Sequence, residues 1–405
     1  MAVFRRPGPV LNTNATAICL AGLLAFAPNA ANAQGAQGFT TTVPHAVLMD
    51  ADTHTILFEK AADELVVPAS TTKVMTAEVL FKEITEGHAN LNDEYVISEN
   101  AWRTGGALAR GSTMFAALNS KVRVEDLIRG LVVVSGNDAA IAIAEGIAGS
   151  EFNFADKMTK RAQELGLSHL SFTNAWGKDE PQQRVTAREM ALLADHVIRT
   201  YPDLYKYFGE KDFLWNKIRQ PNRNPLLLMD VGADGLKTGN IDEKSGYAIV
   251  ASAINADKQR LILTIYGAKS AKERADEARK LLLWGFRTFQ AKTLFNQGDV
   301  IGAASVFGGT KGSVDLVAKA PVRFLIPRGD TEKLTAKIVY TGPLRAPIAQ
   351  GQTVAHLIVN RGTLSSLDVP LQTAEAIESG GLPRRAMDAG YELGVGLFRT
   401  YVLKK

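Results

Sequence analysis

PASTTK, at residues 68–73, places Ser70 and Lys73 three residues apart. Apolar residues recur at spacings of three and four behind this stretch and predict a helix from Thr71 to Phe81. Because residues three apart share a helix face, the Lys73 amine can reach the Ser70 hydroxyl and act as its base. The start of the helix adds backbone N–H groups and a positive dipole end, where an oxyanion would form. Alone, this pattern is more often a helix cap beside a surface charge, so further motifs must decide.

A second motif, Ser135-Gly136-Asn137, lies between two stretches with helical periodicity. A tight turn at its glycine would aim both flanking side chains into a cleft. The Ser135 hydroxyl can then pass a proton to a leaving amine, and the Asn137 amide can hold Lys73 and a substrate carbonyl. Ser98-Glu99-Asn100 spells the same Ser-x-Asn pattern, but we prefer the Ser135 motif because of its setting between helices.

A third motif, Lys237-Thr238-Gly239, directly precedes a predicted strand and should border the cleft. Lys237 and Thr238 offer a charge and a hydroxyl to a substrate carboxylate. Gly239 lets an extended peptide approach the backbone closely. The backbone N–H of Asn240, together with that of Ser70, would complete an oxyanion hole.

The proposed base needs a lowered pKa, because a lysine with the ordinary pKa of about 10.4 is almost always protonated at neutral pH. Burial and a neighbouring cation both lower the pKa of an amine. We expect Lys237 to be that cation for Lys73, which explains why the chemistry would use two lysines.

The pattern along the chain predicts an α+β fold in which an antiparallel sheet brackets a helical insertion. Two pairs of short apolar runs predict the sheet: 46–50 with 53–59, and 246–254 with 260–266. Helical periodicity marks 71–81, 124–134, 138–147, 154–165 and 187–200, and a closing helix at 271–289. From residue 291 short alternating strands predict a small all-β domain, for which the sequence shows no catalytic residues.

Both ends of the chain indicate export and membrane contact. Residues 1–33 have the form of a secretory signal, with Arg5 and Arg6, an apolar stretch, and Ala31-Asn32-Ala33 as the cleavage site. The apolar stretch is shorter than the roughly 20 residues that cross a bilayer. Residues 383–405 combine an apolar face with basic flanks, which is typical of a helix lying in the membrane surface, although packing against the β domain is the alternative.

Composition excludes several other classes. The chain has 405 residues, of which 46% are hydrophobic and 22% charged, as in ordinary globular proteins of two domains. Its net charge of +4, half of it from Arg5 and Arg6, is too small to indicate nucleic acid as a partner. The six histidines lack the spacing of metal ligands, and no phosphate-binding glycine loop is present, so we predict no metal and no cofactor.

The three motifs in this order resemble those of the low-molecular-mass penicillin-binding proteins, specifically the serine-type D-alanyl-D-alanine carboxypeptidases. The resemblance runs from about residue 40 to the C-terminus and extends to the stretches at 220–224, 234–239 and 277–282. Many relatives have a histidine after Lys-Thr-Gly, whereas this chain has Asn240. That difference bears on rate and drug sensitivity, since we assign this position mainly a backbone donor.

The resemblance implies a β-lactamase/transpeptidase-like domain at 40–290, a β-rich domain at 291–375 and an amphipathic anchor at 383–405. It implies removal of the terminal D-alanine from peptidoglycan stem peptides on the periplasmic face of the inner membrane. Ser70 would attack, Lys73 would take its proton, Ser135 would relay a proton to the departing D-alanine, and water would release the acyl chain. β-Lactams should acylate Ser70.

Two other functions remain open from the sequence. A β-lactamase would share the nucleophile but needs fast deacylation, commonly by a loop glutamate in a Glu-x-x-x-Asn context, and no such pattern occurs between Ser135 and Lys237. A structural envelope protein could keep the fold and use the β domain and tail to organise partners, although all motif side chains are present. Endopeptidase cleavage of cross-links is a further possible side activity.

Overall fold

The computed structural model of the protein describes residues 39–240, 246–329, 333–361 and 365–390. Contacts divide the chain into two compact units, with a boundary between Gln290 and Ala291. The predicted signal at 1–33 and the tail residues 391–405 lie outside the described residues. Within the described ranges, no helix has both the length and the apolar character needed to cross a membrane.

The first unit contains a five-stranded antiparallel sheet in the order β2-β1-β9-β8-β7, whose strands come from both ends of the unit. This is the arrangement predicted from the two pairs of apolar runs. The strands of the unit are β1 (His45–Asp50), β2 (Ile56–Lys60), β3 (Glu94–Val96), β4 (Lys121–Arg123), β5 (Asp212–Trp215), β6 (Ile218–Pro221), β7 (Ala233–Asn240), β8 (Tyr247–Ile254) and β9 (Arg260–Ala268). The pairs β3–β4 and β5–β6 form separate two-stranded sheets that the sequence did not predict.

Between β2 and β7 the chain is mainly helical, which confirms the predicted insertion. The helices of the unit are α1 (Lys73–Thr85), α2 (Val124–Val132), α3 (Asn137–Ala148), α4 (Glu151–Glu164), α5 (Ala187–Thr200), α6 (Pro202–Tyr205) and α7 (Ala271–Thr288). Three of them begin at a serine or threonine whose side chain accepts a hydrogen bond from a backbone N–H in the first turn: Ser150, Thr186 and Ser270.

The sheet is buried on both faces. Side chains alternate between the two faces along a strand, yet Ala46, Val47, Leu48 and Met49 of β1 are all fully buried. The insertion supplies much of the cover, because Val47 and Met49 belong to the same core cluster as residues of α1 and α5, while α7 contacts β8 and β9. At one edge of this sheet, β7 contacts the short helical turn that carries Ser70. That edge is where the candidate site forms.

The second unit is all β apart from its last described residues. Its main sheet has six strands in the order β14-β16-β17-β12-β11-β15, and β10 pairs with β13. Leu316, Leu357 and Val359 are in its separate hydrophobic core. The strands are β10 (Phe289–Phe295), β11 (Val300–Phe307), β12 (Ser313–Ala318), β13 (Val322–Pro327), β14 (Leu334–Tyr340), β15 (Leu344–Arg345), β16 (Thr353–Arg361) and β17 (Ser365–Thr373).

Residues 383–390, the described part of the predicted tail, lie in a helix that begins at residue 382. Its Asp388 accepts a hydrogen bond from the backbone N–H of Gly308 at 2.9 Å, so this segment contacts the loop that directly follows β11. Leu382 and Met387 are nevertheless 80% and 67% exposed.

Candidate active site

Ser70 lies in a single turn of 3₁₀-helix, Ala69–Thr72, that leads directly into α1. The Thr71 hydroxyl donates to the carbonyl of Pro68 at 2.5 Å and thereby braces the turn. Gly177, with a φ of +97°, presses against the turn from behind, since a Cβ at this position would come within 1.9 Å of the Ala69 carbonyl oxygen. The turn that presents Ser70 is therefore fixed from two sides.

Lys73 is the first residue of α1, and its side chain is completely buried. Its Nζ lies 3.0 Å from Ser70 Oγ, 2.8 Å from Asn137 Oδ1 and 2.7 Å from the Trp176 carbonyl oxygen. An ammonium can donate to all three, whereas a neutral amine keeps two donors and offers a lone pair to the Ser70 hydroxyl. The geometry thus suits an amine that moves between both states.

Burial lowers the pKa of Lys73 to about 7, while the carboxylates of Asp138 and Glu151 act in the opposite direction. From the sequence we expected Lys237 to share in lowering the pKa of Lys73, but burial is the leading cause. The repulsion between the two lysines is instead evident at Lys237, whose pKa is lowered well below its usual value by burial first and then by the charge of Lys73.

Asp138 organises the loop at residues 113–116, a role that no motif in the sequence indicates. It is fully buried at the start of α3, and both of its carboxylate oxygens accept two hydrogen bonds. The donors are the Thr113 hydroxyl at 2.6 Å and the backbone N–H groups of Met114, Ala116 and Ala139 at 3.0, 3.2 and 3.0 Å. A buried carboxylate with this many donors locks the chain around it in place.

Ser135 and Asn137 flank the predicted tight turn, and both are almost completely buried. Ser135 has a φ of +64°, a conformation that is uncommon for residues other than glycine and that often occurs at functional sites. Both side chains line the same cavity as Ser70. The competing motif Ser98-Glu99-Asn100 does not line this cavity. Its Asn100 side chain lies on an exposed surface, where it donates to Glu145 at 3.0 Å.

Lys237, Thr238, Gly239 and Asn240 form the last half of β7. A Cβ on Gly239 would lie 2.9 Å from the Ala69 Cβ and 3.3 Å from the Ser70 nitrogen, so glycine allows the strand to lie directly against the Ser70 turn. Thr238, Gly239 and Asn240 line the cavity. Lys237 does not: it is 1% exposed, and its Nζ donates to the Thr238 carbonyl at 2.9 Å.

These elements enclose a cavity of about 780 Å³. Besides the predicted residues, its lining includes Arg274, Tyr247, Arg110 and Arg223. Arg274 is 8% exposed, its guanidinium lies 5.8 Å from the centre of the Tyr247 ring, and its Nε has no hydrogen-bond partner in the described part of the chain. Burial lowers the pKa of this guanidinium, which remains a cation. No local sequence pattern marks Arg274, since α7 follows the sheet and carries none of the three motifs.

The described residues include one group with the geometry of metal ligands, Glu83, Glu86 and His88. Lys157 lies 2.6 Å from Glu83, and Lys82 lies 2.7 Å from Glu86, so both carboxylates already have cationic partners. None of these residues lines the cavity.

A serine hydroxyl beside a buried lysine amine, next to the edge strand of an antiparallel sheet, defines the class of serine–lysine acyl-transfer sites. Comparison with known proteins makes the assignment specific. The family model for D-alanyl-D-alanine carboxypeptidases, peptidase S11, matches residues 30–270, and the model for the penicillin-binding protein 5 C-terminal domain matches residues 289–379. This chain belongs to the D-alanyl-D-alanine carboxypeptidase family.

The relatives cover most of the chain. D-alanyl-D-alanine carboxypeptidase DacC from Escherichia coli is 39% identical over 90% of this chain and 92% of its own length. D-alanyl-D-alanine carboxypeptidase DacA from Haemophilus influenzae is 37% identical over 83% of this chain and 85% of its own length. The crystal structure of penicillin binding protein 5 from Haemophilus influenzae, at 37% identity, matches with a TM-score of 0.74 and covers 85% of this chain and 100% of that chain. The family and fold inferred from the motifs are thereby confirmed.

Proposed function

We propose that this protein is a serine-type D-alanyl-D-alanine carboxypeptidase that removes the terminal D-alanine from peptidoglycan pentapeptides through an acyl-enzyme. The observation that carries the proposal is the distance of 3.0 Å between Ser70 Oγ and the amine of the fully buried Lys73, in a cavity bordered by β7. The membership in the carboxypeptidase family supports the choice of substrate.

In the acylation step, Ser70 Oγ attacks the carbonyl carbon of the penultimate D-alanine while Lys73 takes its proton. A pKa of about 7 leaves a substantial fraction of Lys73 neutral at neutral pH, as a general base requires. The backbone N–H groups of Ser70 and Asn240 stabilise the oxyanion, and Asn137 orients the amine that it contacts at 2.8 Å. As the C–N bond breaks, Ser135 donates its proton to the nitrogen of the departing D-alanine and regains one from protonated Lys73, which is thereby neutral again.

Arg274 and Thr238 recognise the leaving D-alanine. Arg274 is a nearly buried cation without an ion-pair partner among the described residues, and it lines the cavity together with Thr238. The free carboxylate of a terminal D-alanine supplies the charge that such a guanidinium lacks. This requirement makes the enzyme a carboxypeptidase, because a peptide bond within a chain has no carboxylate at that position. Water then attacks the ester at Ser70, with Lys73 again taking the proton.

The assignment is tested by incubating the protein with a soluble pentapeptide that ends in D-alanyl-D-alanine and measuring released D-alanine. Labelling with a fluorescent penicillin, followed by peptide mapping, should place the adduct on the peptide that contains Ser70. Attachment elsewhere would overturn the site assignment. Rapid nitrocefin turnover without D-alanine release would instead favour a β-lactamase, and a cellular phenotype that survives Ser70→Ala would favour a scaffold.

We also propose the boundaries 40–290 for the catalytic domain and 291–375 for the β-rich domain. The contact boundary at 290 and the family matches that end at 270 and begin at 289 support them. Calorimetry of the full-length protein should resolve two unfolding transitions, one for each domain, and a single two-state transition would contradict this division.

We also propose that residues 1–33 direct export of the protein. Residues 383–405 then attach it to the outer surface of the cytoplasmic membrane. The exposed Leu382 and Met387 support attachment, because both present apolar surface at the start of the tail. Sedimentation with vesicles of bacterial phospholipids should require the tail, and a chain that ends at residue 381 should stay in the supernatant. Equal sedimentation of both chains would refute attachment through the tail.

A further inference from the structure

A second pocket adjoins the catalytic cavity. Its volume is about 440 Å³, and it shares Trp176 and Lys178 with the cavity as lining residues. The loop that separates the two is held by Asn174, whose side-chain oxygen accepts hydrogen bonds from the backbone N–H groups of Gly177 at 2.8 Å and Lys178 at 3.0 Å. The wall between the pockets is therefore a fixed part of the fold.

Glu151, the first residue of α4, lines this second pocket. Its Oε1 accepts a hydrogen bond from the backbone N–H of Ala175 at 3.1 Å, which fixes the side chain in place. Across the described part of the chain, its other oxygen, Oε2, has no hydrogen-bond partner and the carboxylate forms no ion pair. Burial raises the pKa of Glu151, while the hydrogen bond from Ala175 and the charges of Lys178 and Lys73 act in the opposite direction.

Lys178 is the one cation of the lining, and it compensates this charge only in part. Lys178 is paired with Glu180 at 2.6 Å, so these two charges offset each other. The ring of Phe152, which is 72% exposed, and that of Trp176 add aromatic surface. A carboxylate beside aromatic rings is a combination that favours a primary ammonium, through a charged hydrogen bond and cation–π attraction.

We propose that this pocket binds a primary ammonium group on the substrate residue that precedes the terminal D-alanyl-D-alanine. The inference rests on the proposed function, which places the terminal carboxylate at Arg274. Arg274 and Thr238 line the catalytic cavity but not the second pocket, whereas Trp176 borders both. A peptide whose carboxylate lies at Arg274 and whose scissile bond lies at Ser70 thus continues toward the Trp176 side, where Glu151 receives the side chain of the preceding residue.

Two peptides that differ only in one charge test the proposal. Nα-acetyl-L-Lys-D-Ala-D-Ala carries a free ε-ammonium, and Nα,Nε-diacetyl-L-Lys-D-Ala-D-Ala carries a neutral amide at the same place. D-alanine release by the full-length protein should show a kcat/KM about fivefold higher for the free ammonium, the effect of one partly exposed ion pair. Attraction by the molecule as a whole cannot produce this preference, because its net charge is +4.

The variant Glu151→Gln assigns the preference to the pocket. Glutamine keeps an oxygen that can accept from the Ala175 N–H but has no charge, so the ratio of the two kcat/KM values should fall to about one. Glu145→Gln is the matched control, since Glu145 is near enough to raise the pKa of Glu151 but does not line the pocket. It should retain the fivefold ratio. Thermal unfolding checks that both variants are folded.

The outcomes separate this inference from the function on which it rests. Release of D-alanine from neither peptide would overturn the carboxypeptidase assignment itself. Release from both at equal rates by the unaltered protein would leave that assignment standing and overturn the ammonium site, and no variant is needed to reach that result. A preference that persists in Glu151→Gln would also overturn it.

Discussion

The floor and the rim of the catalytic cavity differ in how their polar groups are satisfied. The floor, defined as Ser70, Lys73 and Asn137, is joined by hydrogen bonds of 2.8 and 3.0 Å, and its amine has no exposed surface. The rim, defined as Arg274 and Asn240, presents a guanidinium without an anionic partner in the described chain and an exposed side chain at the end of β7. The floor residues are held by hydrogen bonds to one another, as catalysis of acyl transfer requires. The rim has an unpaired positive charge that can bind a substrate anion.

The largest effect should follow from removal of the base in the floor. Lys73→Met keeps the length of the side chain but cannot accept a proton, so D-alanine release should fall about 10³-fold in kcat/KM. The melting temperature should fall, because methionine leaves the buried Asn137 Oδ1 and the Trp176 carbonyl oxygen without their hydrogen-bond donor. Steady-state kinetics and calorimetry measure the two effects.

Lys82→Met is the matched control for that substitution. Lys82 lies on the same helix, α1, but is paired with Glu86 at the surface, so activity should not change. Retention of more than about a tenth of the activity in Lys73→Met would mean that another group serves as the base.

A smaller and more selective effect should follow in the rim. Arg274→Gln should lower kcat/KM about 30-fold for a peptide ending in a free D-alanine carboxylate, the range expected for a lost charged hydrogen bond. The same peptide with a terminal carboxamide should be cleaved poorly by the unaltered protein. Its kcat/KM should be nearly the same for Arg274→Gln, since it has no carboxylate for the arginine to bind. The ratio of the four values is a double-mutant cycle that isolates the charge interaction.

Arg279→Gln provides the comparison on the same helix, since Arg279 is on the exposed side of α7 and does not line the catalytic cavity. Its kinetics should match those of the unaltered protein. If Arg274→Gln reduced cleavage of the carboxylate and the carboxamide peptide equally, the arginine would support the fold of the rim and would not bind the carboxylate.

The pH dependence should report on the floor alone. Protonated Lys73 cannot accept a proton, so with a pKa of about 7 the kcat/KM should fall about tenfold for each pH unit below 7 and level off above it. The rate of acylation by a fluorescent penicillin should show the same limb, because both reactions begin with the same proton transfer. If kcat/KM instead began to fall below about pH 10, the ordinary pKa of lysine, burial would not have lowered the pKa of Lys73.

The difference between floor and rim also explains what the sequence could predict. Ser70 and Lys73 are three residues apart, and Ser135 and Asn137 are two apart, so local geometry brings each pair to one side of its element. The helix and strand patterns place a long helical insertion between two parts of one sheet. That placement was enough to predict that the two pairs lie in one cleft. Most helix bounds predicted from periodicity agree with the structure to within a few residues, and Ala187–Thr200 agrees at both ends.

Other parts of the site carry no local pattern. The Trp176 group that contacts Lys73 is a backbone carbonyl, which every residue has, and Arg274 reaches the cavity only because α7 folds back beside β8. Asp138 directly follows the second motif, but three of its four hydrogen bonds come from a loop more than 20 residues earlier in the chain. The burial of Lys237 likewise depends on the packing of β7 against the Ser70 turn.

The smallest effect should come from the part of the rim where this chain differs from many similar enzymes. Asn240 is exposed, and its proposed role belongs to its backbone N–H, which the side chain does not alter. Asn240→His should therefore change kcat/KM for the pentapeptide by less than about threefold, as for surface substitutions generally. The rate of penicillin acylation, measured in parallel, should change equally little. A change of tenfold or more in either rate would show that the side chain at position 240 contacts the substrate, and the rim would then contain a second recognition group beside Arg274.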